Sequence, residues 1–197
     1  MTRLNEEAVM LASLIRQGVS IRGLAELLNG GGGVVGGDRG QIDRGINGSY
    51  TASGDVITFF GDTSGEHPVN ILPYVAGAIS YSQMRGKETI SGEFTGCVMA
   101  IYNDAGTTRV CHVDTAKPSS GDAPSKTRWA QIKGQAGFEM ADELSTNGML
   151  GKFLDTHAPD ESFRTLSILG VATPVIGITS YYVTRQNGVY TVVGLGT

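Results

Sequence analysis

The chain has 197 residues, a net charge of -4 and an apolar fraction of 40%, a balance that predicts a folded domain. Twenty-nine residues are glycine, about twice the usual share, but they follow no three-residue period, which excludes a collagen helix. The 15 basic residues form no cluster against the 19 acidic ones, so nucleic acid is not an expected partner. A chain of this length buries roughly 70% of the surface of its unfolded form, so it needs neither a disulfide nor a metal ion to fold.

The most apolar N-terminal stretch predicts neither a signal peptide nor a membrane span. Residues 8–15 are interrupted by Ser13 and preceded by Glu6 and Glu7. We therefore expect no Sec export and no membrane insertion. Cys97 and Cys111 are too few and too isolated for a zinc ribbon or a disulfide framework, which favours a reducing compartment.

The N-terminal part has a helical period of apolar residues over 5–28, interrupted at Gly18, which predicts two short helices. Ser20 is placed as the N-cap of the second helix, and Asn29 with Gly30 indicates its end. The pair resembles the first part of a helix-turn-helix, but no recognition helix follows and the local charges balance, so DNA binding is disfavoured.

A glycine-dense stretch follows over residues 29–48. Gly31, Gly33 and Gly36 match the spacing of a dinucleotide-binding loop, yet no strand precedes them and no helix follows, so a flexible linker is predicted. The predicted organisation is an N-terminal helical segment with a glycine-rich linker over 1–45 and a catalytic domain over 46–197.

The rest of the chain predicts short strands separated by turns. The β-like runs are, in chain order, 56–60, 69–72, 97–102, 108–113, 175–185 and 189–193. Turn residues at 103–106 and 186–188 predict two hairpins. Residues 130–144 have mixed helical character, Phe153 suits a short helix and 162–168 is ambiguous. The predicted fold class is α+β, with a mixed, largely antiparallel β-sheet sandwich core and flanking helices.

The first hairpin contains the cysteine and the histidine that could act as a nucleophile and its base. With Asp104 and Ala105 as its loop, Cys97 and His112 are directly opposed on one face, whereas Cys111 lies on the other face. An imidazole activates a thiol and can protonate a leaving group, so this pair suffices for acyl transfer. Gly96 allows a bend that exposes the sulfur. The alternative is a buried structural cysteine beside a core histidine.

Thr95-Gly96-Cys97 followed by His112-Val113-Asp114 resembles the Ser-Gly-Cys and downstream His of the bacterial toxin glutamine deamidases. These are the cytotoxic necrotizing factors and Burkholderia lethal factor, and the chemotaxis receptor deamidases share the general arrangement. Residues 71–74 and 177–194 are similar to further stretches of lethal factor, so the resemblance covers about 47–197. It places the third polar group, a hydroxyl that orients the imidazole, on Ser91, with Thr89, Thr95 and Asp114 as rivals.

The resemblance implies cysteine-dependent deamidation of a protein glutamine to glutamate by Cys97, His112 and Ser91, without cofactor or metal. It implies a bacterial effector, monomeric, made in the cytoplasm and delivered into a host or competitor cell by a specialised system, with a protein there as substrate. A transglutaminase or a protease using the same site, and a non-catalytic binding module, remain alternatives. His67 and His157 are expected in exposed loops and not as metal ligands, and Trp129 is either a core anchor or a partner contact.

Overall fold

The structure is a computed structural model that describes residues 10–29, 41–115, 124–157 and 164–196. The glycines at 31, 33 and 36 lie outside these residues. In chain order the described elements are α1 Leu11–Leu14, β1 Ser20–Arg22, α2 Leu24–Asn29, β2 Gln41–Asp43, β3 Ile46–Ser53, β4 Val56–Phe60, β5 His67–Leu72, β6 Ile79–Gln83, β7 Thr89–Phe94, β8 Val98–Asp104, β9 Thr107–Val113, α3 Pro124–Lys133, β10 Phe138–Ser145, α4 Met149–Thr156, β11 Ser167–Thr173, β12 Gly177–Gln186 and β13 Val189–Leu195.

The α+β class and the largely antiparallel pairing are confirmed, but the predicted sandwich is wrong because the main sheet closes on itself. Its strand order is β1-β13-β12-β11-β7-β5-β3-β4, with β4 returning to β1. Only the β1–β4 and β5–β7 pairs of this barrel are parallel. Closure depends on β1, which pairs with β13 on one side and with β4 on the other and so removes both free edges.

A second sheet of five strands, in the order β10-β8-β9-β6-β2, packs against the outside of the barrel. Three apolar layers follow from this arrangement. The barrel core fills the inside and includes Val69, Ile90 and Tyr190. The interlayer core lies between barrel and second sheet and includes Leu72, Phe94 and Met99. The outer core lies between the second sheet and α3 and includes Tyr102, Cys111 and Trp129.

Residues 10–29 are part of this domain, which differs from the predicted organisation with a separate helical segment and linker over 1–45. Ser20 does not cap a helix; it begins β1, where it pairs with Thr191 and with Val56. The buried apolar residues of this segment fill the barrel core, and they are Leu11, Ile15, Val19, Ile21, Leu24 and Leu28. Two short helices are present, as predicted, and the second, α2, covers Leu24–Asn29.

Both predicted hairpins are confirmed. Their turns are Ala105-Gly106 and Asn187-Gly188, and all four residues have positive φ, as two-residue turns of this kind require. The short helix at Phe153 is also present, as α4. The mixed helical prediction over 130–144 is wrong beyond Lys133, because residues 138–145 form the edge strand β10 of the second sheet.

Gly23, which follows β1, is expected to tolerate no side chain. Its φ is +73°, and a Cβ there would lie 2.4 Å from the backbone oxygen of Phe59. We expect Gly23→Ala to lower the free energy of unfolding in urea by about 1–3 kcal/mol or more. Gly18→Ala is the matched control, since Gly18 has φ +89° but nothing within 4 Å of its Cβ. Equal losses in both variants would show that the contact with Phe59 is unimportant.

Candidate active site

The candidate site lies in the interlayer core, where the β8–β9 hairpin covers the outer face of the barrel. The hairpin register pairs Met99 with His112 and Val98 with Val113. The predicted direct opposition of Cys97 and His112 is therefore wrong: the turn is one residue later than expected, which shifts the pairing by two. A shift of two preserves the face, so Cys97 and His112 are diagonal neighbours on the same side of the sheet.

Ser91 and His112 are brought together from different layers. Ser91 lies on the outer face of barrel strand β7, and its Oγ is 3.0 Å from His112 Nδ1. The same hydroxyl donates its proton to the carbonyl oxygen of Leu72 at 2.7 Å. Because the hydroxyl proton is used there, Ser91 Oγ accepts the Nδ1–H of the imidazole. This assignment leaves the lone pair on Nε2.

A β-bulge in β7 places Phe94 beside the contact between Ser91 and His112. Against β11, Gly92 pairs with Leu169 and Phe94 with Ile168, so Glu93 is the extra residue. Glu93 has φ +55°, and its carboxylate accepts hydrogen bonds from Arg185 and from Tyr190. The extra residue turns Phe94 onto the same outer face as Ser91.

Aromatic rings enclose the imidazole of His112. The Phe94 ring stacks on it with centroids 4.0 Å apart, and the Tyr74 ring is 5.3 Å away. Only 1% of His112 is exposed, and this burial lowers its pKa from 6.5 to about 3. The imidazole is therefore neutral at physiological pH, the form that can accept a proton. Nε2 has no hydrogen-bond partner among the described residues.

Cys97 lies just before β8, with 9% of its surface exposed. Its thiol contacts Asp114 Oδ1 at 3.9 Å, and no hydrogen bond joins it to His112 among the described residues. Burial raises the pKa of the Cys97 thiol, hydrogen bonding by Thr115 opposes the rise, and the Asp114 carboxylate adds to it. Cys97 is therefore a neutral thiol in this state and not a preformed thiolate.

The backbone around Cys97 is held from two sides. Thr146 donates to the Cys97 carbonyl oxygen from its N–H at 3.1 Å and from its hydroxyl at 2.8 Å. Thr115 donates its hydroxyl to the Gly96 carbonyl oxygen at 2.6 Å. The chain bends at Thr95 and Gly96, as predicted, but the bend leaves Cys97 only 9% exposed. It does not require glycine, because the φ of Gly96 is not positive and a Cβ there would meet nothing within 4 Å.

Two cavities reach Cys97, and both are also lined by Thr95. The larger, about 500 Å³, is bordered by α3 through Lys126, Trp129 and Lys133. The smaller, about 300 Å³, is bordered by Tyr74, Glu93 and Asp114, among others. Cys97 thus borders both cavities, despite its low exposure. Trp129 is 3% exposed, and its Nε1 donates to Glu143, so it serves as a core anchor that also borders the larger cavity.

Of the predicted residues, the structure joins His112 and Ser91 directly and places Cys97 on the same face. Within the described residues, His112 hydrogen-bonds through Nδ1 to Ser91 and not to the rivals Thr89 or Thr95, and Asp114 contacts the thiol instead. Sequence reasoning missed the contributions of Thr115, Thr146 and the Leu72 carbonyl. The 71–74 stretch was noted only for its likeness, yet it supplies both Leu72 and Tyr74 to the site.

The other two histidines lie elsewhere. His67 begins β5 instead of lying in a loop and is half-buried 5.0 Å from the Tyr50 ring, while His157 is exposed and stacks on Phe153. Cys111 is fully buried on the opposite face of β9, as predicted. Within the described residues, no group of three or more His, Cys, Asp or Glu side chains is placed to hold a metal ion.

The chain matches no family model, and no curated protein matches it. None of the helices in the described ranges is long and apolar enough to cross a membrane.

Proposed function

We propose that the protein is a cysteine hydrolase that deamidates a glutamine side chain of a target protein, with Cys97 as nucleophile, His112 as base and acid, and Ser91 orienting the imidazole. The observation that carries the proposal is the Ser91–His112 contact at 3.0 Å. Ser91 is itself fixed by the Leu72 carbonyl, so the imidazole is held with the lone pair of Nε2 available. A buried histidine arranged in this way is equipped for proton transfer.

The proposed reaction has two stages. His112 Nε2 takes the thiol proton while Cys97 Sγ bonds to the carboxamide carbon, and collapse of the tetrahedral intermediate breaks the C–N bond as His112 returns that proton to nitrogen. Ammonia leaves and a thioester remains. Water, deprotonated by His112, then attacks the thioester carbon, and the proton returns to sulfur as the C–S bond breaks. Gln becomes Glu, Cys97 is regenerated, and no cofactor takes part.

In the resting structure the Cys97 side chain is not oriented for the proposed attack. Sγ faces Asp114, so the proposed attack requires the Cys97 side chain to turn towards Nε2. Catalytic hydrogen bonds commonly tighten only when substrate is bound. Starting from a neutral thiol and a neutral imidazole, His112 acts as general base during attack and not as one half of a resting ion pair.

The direct test is incubation of the protein with host-cell or bacterial lysate, followed by mass spectrometry for Gln-to-Glu conversion. We expect wild-type protein to convert at least one glutamine and Cys97→Ser to convert none above background. Cys111→Ser is the matched control, since it makes the same change in a buried cysteine on the opposite face of the same sheet. Equal conversion by wild type and Cys97→Ser would refute the proposal.

A non-catalytic binding module is the second candidate, and the low exposure of Cys97 and its missing hydrogen bond to His112 favour it. Iodoacetamide labelling at mildly acidic pH separates the two. Because the resting thiol is neutral, labelling of a catalytic Cys97 depends on proton transfer to His112 and slows in His112→Gln, whereas labelling of a purely structural Cys97 is unchanged by that substitution. Transamidation by an amine, or cleavage of a backbone amide, would use the same three residues, and the same mass spectra would reveal either product.

The resemblance to bacterial toxin deamidases supports a further part of the proposal. The protein would be a bacterial effector that acts as a monomer on a protein in the cytosol of a host or competitor cell, after delivery by a specialised system. Recovery of the substrate from one lysate and not from another would identify which type of cell is the target.

A further inference from the structure

The Asp114 carboxylate is fixed beside the proposed nucleophile. Its Oδ2 accepts the Gly77 N–H at 2.6 Å, while Oδ1 lies 3.9 Å from Cys97 Sγ. Tyr74 lines the same cavity as this carboxylate, and Asp114 is only 4% exposed. The carboxylate is therefore held in place and does not move as freely as one on the surface.

This carboxylate borders the space through which a carboxamide can reach the sulfur. Asp114 and Cys97 line the same cavity of about 300 Å³, so a carboxamide that enters this cavity meets the carboxylate. Its Oδ1 lies 3.9 Å from Sγ in the resting state, and the Gly77 N–H holds the carboxylate in place when the Cys97 side chain turns towards Nε2. A carboxylate only accepts hydrogen bonds. It suits an –NH₂ group, which donates two, and it opposes an ester or carboxylate oxygen, which presents lone pairs.

We propose that Asp114 is the specificity-determining residue of the site, which accepts a hydrogen bond from the –NH₂ group of a primary carboxamide and disfavours esters and carboxylates. This inference rests on the proposed function, because it assigns the chemical group that Cys97 attacks. The smaller cavity agrees with it: Glu93 also borders it, and its described lining contains no lysine or arginine. A glutamate product, carrying a carboxylate next to Asp114, would be released by repulsion.

The test uses two neutral alkylating probes that differ only in this group, iodoacetamide and methyl iodoacetate. In both reactions the S–C bond forms as the C–I bond breaks, iodide leaves and the thiol proton passes to solvent. Rates at Cys97 are measured by peptide mass spectrometry in full-length protein and divided by the rates of glutathione with the same probe. In wild type, we expect this normalised rate to favour the carboxamide by about 10-fold to 100-fold, as one hydrogen bond to a charged group allows.

In Asp114→Asn, we expect that preference to fall to near unity while the rate with methyl iodoacetate rises. The rise follows because removal of the negative charge lowers the pKa of the thiol. A loss of structure would expose the buried thiol and raise both rates together. A fall in the iodoacetamide rate beside a rise in the methyl iodoacetate rate therefore identifies the specificity role. Asp104→Asn, the same change at the far end of the hairpin, should keep the wild-type ratio.

An unchanged ratio in Asp114→Asn, or no carboxamide preference in wild type, would overturn the inference. The alkylation does not depend on deamidation, so the two proposals fail separately. A preference that disappears in Asp114→Asn supports carboxamide recognition even where no lysate glutamine is converted, and in that case only the proposed reaction is refuted.

Discussion

Replacing His112 with glutamine is expected to reduce deamidation about 10²-fold to 10⁴-fold, the usual contribution of a positioned general acid–base group. Glutamine is similar in size and can hydrogen-bond to Ser91, but it cannot take the thiol proton or return it to ammonia. The measurement is the initial rate of Gln-to-Glu conversion on the substrate found in lysate. A rate equal to that of wild type would exclude His112 as the proton carrier.

Ser91→Ala is expected to reduce the rate of deamidation less than His112→Gln does. The imidazole remains, but it loses the oxygen that fixes Nδ1–H, so the loss of rate should be smaller than in His112→Gln. Thr89→Val is the matched control, because it removes a hydroxyl two residues earlier on the same strand. If Thr89→Val lost as much activity as Ser91→Ala, the effect would arise from packing in β7 and not from orientation of the imidazole.

The local features of this fold could be predicted from sequence because neighbouring residues determine them. Both hairpins have a glycine at the second turn position, where φ is +83° at Gly106 and +78° at Gly188, and the strands on either side follow from that chemistry. The error in the first hairpin came from centring the loop on Asp104 and Ala105. Centring it on Ala105 and Gly106 gives the observed register, and it leaves Cys97 and His112 on the same face.

The barrel could not be predicted, because its closure depends on contacts distant in sequence. β1 has only three residues, and what makes it a strand is pairing with Tyr190 and Thr191 at the other end of the chain. Its one apolar residue, Ile21, fits the helical period of the N-terminal apolar residues as well as it fits the barrel core, and tertiary contacts decide between the two. The closure is what brings residues 10–29 into the domain.

The candidate site shows the same division between local and distant signals. Ser91 was predicted from a resemblance and a count of positions, and its Oγ lies 3.0 Å from His112 Nδ1. Its partner Leu72 contributes only a backbone oxygen, which no side-chain pattern can indicate. The contact between Asp114 and Gly77 joins two loops that are distant in sequence. The bulge at Glu93 adds a residue to β7, and its local signal is the adjacent Gly92 inside the strand.

The stability of the protein is expected to fall as the pH decreases from about 6.5 towards about 3, in part because of His112. Burial lowers the pKa of His112 from 6.5 to about 3, so between these values the unfolded chain binds a proton that the folded chain excludes. Unfolding free energy then rises with pH, with a slope of up to about 1.4 kcal/mol per pH unit for this one group. Above pH 6.5 both states are neutral at His112, and the slope vanishes.

Urea denaturation at several pH values between 4 and 7.5, for wild type and His112→Gln, isolates this effect. Carboxylates titrate in the same range in both proteins, so the difference between the two curves reports His112. We expect the wild type to lose its advantage over the variant progressively below pH 6.5, whereas parallel curves would mean that His112 is protonated in the folded protein. Burial keeps His112 neutral and able to act as a base, and the same burial lowers the stability of the folded protein at low pH. The packing of Phe94 against the imidazole excludes the water that would stabilise its positive charge, which is also why the pKa of His112 is low.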